Sequence, residues 1–218
     1  MFNSTNNIVY WTIKERGFNV LPALRQMWVN EFKVCLKEAK WYNKGYKPTL
    51  EEYLSTSISS TGGPLMLFCS FFLTTHNLTQ ETVDYVANIP SLMKYSSLAL
   101  RCNNDLGTSP VEMARGDNSK SIHCYMYENG VSEEVARECI ENMVREYWKK
   151  MNKHYFEDRP FPGLQPFRNA CLNLVRSSHC FYQYGDGMGK PNLESKDHVN
   201  HYVMSVLIEP IPIDECKR

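Results

Sequence analysis

Three oxygen-bearing side chains, Asn104, Thr108 and Glu112, stand at i, i+4 and i+8 in the stretch RCNNDLGTSPVEMARGDNSK. Arg101 lies three residues before them and Lys120 eight residues after. On a helix turning about 100° per residue these positions drift only about 80° round the axis, so an amide oxygen, a hydroxyl and a carboxylate can converge beside it. Three hard oxygens with one formal charge make a poor Ca²⁺ cage. They suit Mg²⁺, with Mn²⁺ as the alternative, because such ions take oxygen ligands, keep waters and share their sphere with substrate phosphate. Arg101, one turn earlier on the same side, can fork onto that phosphate. Lys120 can fold back as a second cation beyond the bend at Arg115-Gly116-Asp117. The same residue types also make caps and turns. Pro110 favours reading NNDLGTSP as a loop, since a proline inside a helix costs roughly 3 kcal/mol. On spacing alone both readings stand.

The elements that must position these residues are helical, and no convincing period-2 strand interrupts them. Phe2, Ile8, Val9, Tyr10 and Ile13 read as the interior of an amphipathic helix from about Phe2 to Gly17. A second helix follows Pro22 and runs to Tyr42. NKGYKP is a loop, and Thr49 caps LEEYLSTSI with Glu52 completing a capping box. Gly62-Gly63-Pro64 interrupts the next apolar segment: either a turn between two helices, or one broken helix whose freed carbonyls face a cavity. Thr79 caps QETVDYVANI, Pro90 precedes the helix that carries the polar row, and Ser132 caps a long amphipathic helix through Phe156. FEDRPFPG is a loop. A further helix covers PFRNACLNLVRSSHCFYQY, GDGMGKPN is a glycine-rich loop, and a short helix ends near EPIPI. The fold class is all-α.

The totals exclude several functions. Over 218 residues Lys+Arg 24 balances Asp+Glu 24, so no net field argues for nucleic acid or an anionic membrane. No apolar run approaches the length of a membrane span, and MFNSTNNIVYW lacks the pattern of a signal peptide. The eight cysteines are scattered without a C-x-x-C pair and read as reduced, structural thiols. The N-x-S/T matches at Asn3 and Asn77 carry little weight. An opening that lies mid-helix suggests a piece of something longer.

Asn104 to Glu112 fits the pattern (N/D)D(L/I/V)x(S/T)xxxE, and so resembles the second metal motif of class I plant terpene synthases. Arg101, the RGDxxKSI run from Arg115 to Ile122, CYM at Cys124 to Met126 and SEEVARE from Ser132 to Glu138 resemble the same family. So do EAKWY at Glu38 to Tyr42, YKPTLEEYL at Tyr46 to Leu54, GGPL at Gly62 to Leu65, WKKMNK at Trp148 to Lys153 and the ending LIEPIPI. The resemblance covers the whole chain and is nearest the monoterpene branch. It implies that Asn104, Thr108 and Glu112 chelate one Mg²⁺ of a three-metal cluster, and that Asp105 is a structural hydrogen-bonding residue. It also implies that Arg101 and Lys120 hold the diphosphate. Gly62-Gly63 would mark the kinked helix lining a hydrocarbon cavity, and Tyr182 and Asp186 would belong to a lid over its mouth. The substrate implied is a prenyl diphosphate, geranyl diphosphate first, converted by a monomeric lyase through a carbocation. The address implied is a plastid, with the cytoplasm as the alternative.

The family's aspartate-rich DDxxD motif, its upstream arginine motif and its N-terminal helical domain have no counterpart here, and no DD pair occurs in the sequence. The expectation is therefore the C-terminal part of the class I α-helical barrel, lacking its first helices, inactive and poorly soluble on its own. A non-catalytic truncated paralogue and an all-α interaction scaffold are the competing readings.

Overall fold

A computed structural model describes residues 2–115, 120–158, 161, 163–186 and 193–209. Every regular element among them is helical. The first, α1 (Phe2–Arg16), stops at Gly17 as the sequence predicts. Next, α2 (Leu21–Lys44) carries Pro22 in its first turn and runs two residues past the expected Tyr42 before Gly45 ends it. The Thr49 hydroxyl caps α3 (Leu50–Ser60) by accepting from the Glu52 N–H at 3.2 Å. The expected capping box is only half made. The Glu52 carboxylate is engaged instead by the Tyr46 hydroxyl at 2.7 Å, with the Lys37 ammonium 4.0 Å away.

Between α3 and α4 (Gly63–Thr74) the chain turns at Thr61-Gly62 without leaving the axis of one apolar rod. Gly62 takes φ 74°, a left-handed conformation that a side chain would resist, and its carbonyl accepts from Met66 N–H at 2.8 Å so that α4 starts at once. Pro64 falls in the first turn, where a missing N–H costs nothing. A Cβ on Gly63 would stand 2.9 Å from Ser97 Oγ, so α4 presses directly on the helix behind it. α3 thus ends and α4 begins across a two-residue turn, and the Gly62 carbonyl is paired within α4, not freed toward a cavity.

Then come α5 (Gln80–Ala87), α6 (Ser91–Arg115), α7 (Ser121–Asn129), α8 (Glu133–Glu157), α9 (Gln165–Tyr182) and α10 (Leu193–Val203). A π-helical turn, Met204–Ile208, extends the last of these. Thr79 and Ser132 cap α5 and α8 through their hydroxyls. Central among them, α6 packs along α8 and α9 and touches α3, α4 and α7 on its other sides. Phe68, Phe71, Phe72 and Phe167 are wholly or almost wholly buried; Phe68 meets Phe72 edge to face at 4.6 Å between centroids, and Phe71 meets Phe167 edge to face at 5.8 Å. Each such side chain contributes about 1.5–3 kcal/mol over an exposed one. This aromatic cluster fixes α4 against α9 and so sets the wall that α6 leans on.

The amphipathic helix expected from Phe2 is present: Ile8 and Val9 pack half-buried against the core, while Phe2, Tyr10 and Ile13 are exposed. Thr12 is buried, and its hydroxyl turns back to the Ile8 carbonyl at 2.7 Å. Val29, Phe32 and Leu36 are also exposed on α2, so part of the apolar surface of each helix faces outward, while Leu24 and Met27 of α2 are buried in the core. Taken end to end, α3 and α4 (Leu50–Thr74) are also long and apolar enough to cross a membrane by composition alone. The expectation that no apolar run approaches the length of a membrane span is corrected for this stretch. Half of the stretch is buried inside the protein, as for a core helix.

The described cysteines are free thiols, and burial pushes Cys124 and Cys171 up to about 12. Gly116 and Asp117 of the predicted bend, most of GDGMGKPN and the chain after Glu209 lie outside the described residues, as do Arg159, Pro160 and Pro162 of FEDRPFPG.

Candidate metal centre

The polar row lies on a continuous helix, and the loop reading of NNDLGTSP does not hold: α6 runs through both Gly107 and Pro110. At its lower end the Thr108 hydroxyl donates to Glu112 Oε2 at 2.8 Å, and Lys120 Nζ stands 3.3 Å from Glu112 Oε1. Lys120 therefore does fold back onto the row. At its upper end Arg101 Nη1 donates to Asn104 Oδ1 at 3.2 Å. An open cleft of about 400 Å³ lies at the upper end, lined by Arg101, Asn104, Lys120 and Tyr182 with Glu38, Ser60, Thr61 and Leu100, and Lys120 connects it to Glu112. Gly62 and Gly63 are not themselves in its lining; the residues just before the break, Ser60 and Thr61, are.

Beneath the row lies a buried ion pair. Asp105 is fully buried, 3.3 Å from Arg101 Nη1, and accepts from the Tyr53 hydroxyl at 3.0 and 3.1 Å and from the Ser121 N–H at 3.1 Å. The other Arg101 donors reach the Ser57 carbonyl at 3.3 Å and Ser60 Oγ at 3.1 Å, and Ser60 in turn donates to Glu38 Oε1 at 2.7 Å. The Arg101 guanidinium is thus spent on its own protein, not held free as a fork for an incoming phosphate. Burial opposes its charge, yet Tyr53, Asp105 and Glu38 around it outweigh burial and raise it. Burial and the Asp105 carboxylate likewise raise Tyr53 far above the ordinary phenol range. This knot ties α3, α6 and the start of α7 together at the level of Asn104, and the role expected for Asp105 matches its position.

Tyr182, near the end of α9, is half-buried; burial raises it, a hydrogen bond with Asn104 lowers it and Asp186 raises it again. Asp186 is half-buried close by. Burial lowers His123, whose Nδ1 accepts the Lys120 N–H at 3.2 Å and fixes the entry of α7. Gly107 permits the approach of α9. A Cβ there would meet the Gly185 carbonyl at 2.9 Å and the Tyr182 side chain at 3.0 Å. The gain in helix propensity of Gly107→Ala, about 1 kcal/mol, falls short of an overpacking cost of about 1–3 kcal/mol. A lower urea midpoint is the expected result, measured by circular dichroism.

Glu38, Tyr53, Ser57, Ser60 and Ser121 carried no assigned role in the sequence. A tyrosine on the buried face of a helix needs a partner for its hydroxyl, and that signal pointed to Tyr53 without naming Asp105. No cluster of three or more His, Cys, Asp or Glu side chains suited to a metal occurs among the described residues. The row offers one carboxylate, one amide and one hydroxyl, a donor set that fits a hard divalent ion holding further ligands from water or phosphate.

An all-helical wall with an oxygen row and two cations beside its cleft has the chemistry to share a hard divalent ion with a phosphate. Residues 1–150 match the terpene synthase family, metal binding domain. The chain belongs to the terpene synthase family and has the class I fold. It is 48% identical over 217 residues to (+)-alpha-terpineol synthase of Santalum album, covering 99% of this chain and 37% of that protein. It is 46% identical over 210 residues to alpha-thujene synthase, chloroplastic, of Litsea cubeba, covering 96% of this chain and 35% of that one. Isoprene synthase of grey poplar, solved in complex with three Mg²⁺ ions and dimethylallyl-S-thiolodiphosphate, superimposes with a TM-score of 0.84 at 34% identity. That match covers 97% of this chain and 39% of the poplar enzyme. The chain spans little more than a third of the length of such relatives.

Proposed function

We propose that this chain is the metal-binding portion of a Mg²⁺-dependent terpene synthase that ionises geranyl diphosphate, releases diphosphate and forms a monoterpene, and that alone it is inactive. The observation that supports this most is the row itself: Asn104 and Lys120 line one cleft, and Lys120 reaches Glu112 and, through it, Thr108. Bound Mg²⁺ supplies a Lewis acid for the charge developing on the leaving diphosphate. Asn104 Oδ1, Thr108 Oγ1 and the Glu112 carboxylate would hold it.

Lys120, half-buried, exchanges its contact with Glu112 for one with the diphosphate. Arg101 stays fixed as a cation in the cleft wall, where its field costs no reorganisation. Leu100 and the helix break near Thr61 present the wall to the hydrocarbon, and Tyr182 with Asp186 stands at the rim, where closure would exclude water from a carbocation. The chloroplastic name of the thujene synthase supports a plastid address. These residues provide ligands for one ion, and Phe2, Tyr10 and Ile13 of α1 with Val29, Phe32 and Leu36 of α2 are exposed, which supports inactivity and poor solubility of the isolated chain.

The test is thermal unfolding of the purified chain with Mg²⁺ and inorganic pyrophosphate. The midpoint is expected to rise by a few degrees only when both are present, as ligand linkage requires. No joint shift would remove the metal-site reading, and turnover of geranyl diphosphate by the chain alone would remove the claim of inactivity.

A further inference from the structure

Pro110 has no N–H, so the carbonyl of Leu106, four residues earlier, loses its helical donor in the middle of the polar row. An orphaned buried carbonyl costs about 1–3 kcal/mol, and the proline ring pushes that carbonyl outward, the usual origin of a kink. Yet α6 remains helical to Arg115, and Thr108 and Glu112 meet at 2.8 Å across the proline. The replacement donor comes from α8. Arg137 Nη2 lies 2.6 Å from the Leu106 carbonyl oxygen, and its Nη1 lies 2.9 Å from Ser109 Oγ. Ser109 is fully buried and cannot turn to water. Glu133, one turn earlier on α8, braces the fork at 3.4 Å. Arg137 shares its pocket with Leu106, Gly107 and Pro110, and Tyr182 stands between this pocket and the cleft of Asn104 and Lys120, lining both.

We infer that Arg137 is a positioning residue that splints α6 across Pro110, keeping Asn104 and Thr108 on one side in register with Glu112 on the other. The splint rests on geometry alone; its functional consequence rests on the proposed metal site. Mg²⁺ demands near-octahedral oxygen at about 2.0–2.1 Å, so a small swing of the last turn of α6 takes Glu112 out of reach. A planar fork holds a carbonyl and a hydroxyl three residues apart from two nitrogens in fixed geometry, whereas a lysine offers a single rotatable ammonium on a flexible stem and holds them less firmly.

The experiment is a cycle of wild type, Arg137→Ala, Pro110→Ala and the double variant, with Arg137→Lys as a milder arm should Arg137→Ala not fold. Pro110→Ala restores an N–H for the Leu106 carbonyl and makes the splint redundant. Amide hydrogen exchange in the last three turns of α6 is expected to quicken about tenfold in Arg137→Ala, less in Arg137→Lys, and to return to wild type in the double variant. The Mg²⁺ concentration that half-saturates stabilisation by inorganic pyrophosphate is expected to rise by about the same factor and to recover in parallel. Equal quickening with and without Pro110, or none, overturns the splint. A normal Mg²⁺ requirement in Arg137→Ala, despite faster exchange, overturns the positioning role. A wild type that ignores Mg²⁺ and pyrophosphate instead sinks the metal-site reading, while the exchange cycle still decides the splint.

Discussion

Asp105→Ala is expected to destabilise the protein by about 3–5 kcal/mol, the largest loss from any single side chain around the site, because it strands a buried guanidinium. Arg101 is 7% exposed and Asp105 fully buried, so water cannot replace the lost partner. Tyr53 and the Ser121 N–H lose their acceptor at the same stroke. Glu38 remains within the field of Arg101 but reaches it only through Ser60. Typical domains are stable by about 5–15 kcal/mol, so a loss of this size removes a large fraction of the whole. Tyr53→Phe removes one donor and leaves the ion pair intact, and is expected to cost only about 1–2 kcal/mol. Guanidinium unfolding followed by circular dichroism separates the two through their midpoints at constant slope. Equal midpoints for the two variants would show that the charge pair adds nothing beyond the hydroxyl contact.

Local rules carried the helices. Periodicity located the long ones, and Thr49, Thr79 and Ser132 were recognisable as caps because a cap acts within three residues of itself. Pro110 misled for the converse reason. Its compensation comes from Arg137, 31 residues from the carbonyl it serves, and no local propensity can register such a donor. Glu52 illustrates a competition between partners: the same carboxylate fits a capping box and a tyrosine hydroxyl, and tertiary placement of Tyr46 decided it. The stripe of Phe2, Tyr10 and Ile13 shows a further limit, since periodicity reveals that a face is apolar but not that anything covers it.

At the site, the i, i+4, i+8 spacing was enough to align Asn104, Thr108 and Glu112 once the helix was granted. The floor beneath them was not legible, because Tyr53 and Ser121 reach Asp105 across separations of 52 and 16 residues. Arg101 was correctly placed beside the row. Its commitment to Asp105, Ser57 and Ser60 was hidden, since charge and spacing say nothing about who claims a donor first.

Glu112→Gln separates ligand binding from folding most sharply. The Glu112 and Lys120 side chains are 19% and 18% exposed, so their pairing at 3.3 Å contributes no more than about 1 kcal/mol. Glutamine keeps the oxygen that Thr108 donates to, and the unliganded variant should unfold within about 2–4 °C of wild type. Only the formal charge of the oxygen row is gone. Without it, Mg²⁺ faces neutral donors beside two fixed cations, and the joint stabilisation by Mg²⁺ and pyrophosphate is expected to disappear. In a longer protein that supplies the remaining ligands, turnover should fall by about 10²–10³-fold or more, as for loss of a preorganised group at a developing charge. Lys120→Ala should behave differently. Glu112 then keeps its charge without its internal partner, so Mg²⁺ alone binds at least as well while the gain from adding pyrophosphate shrinks. Calorimetric titration of both variants distinguishes these patterns, and a Glu112→Gln protein that still responds in full would move the metal off this carboxylate.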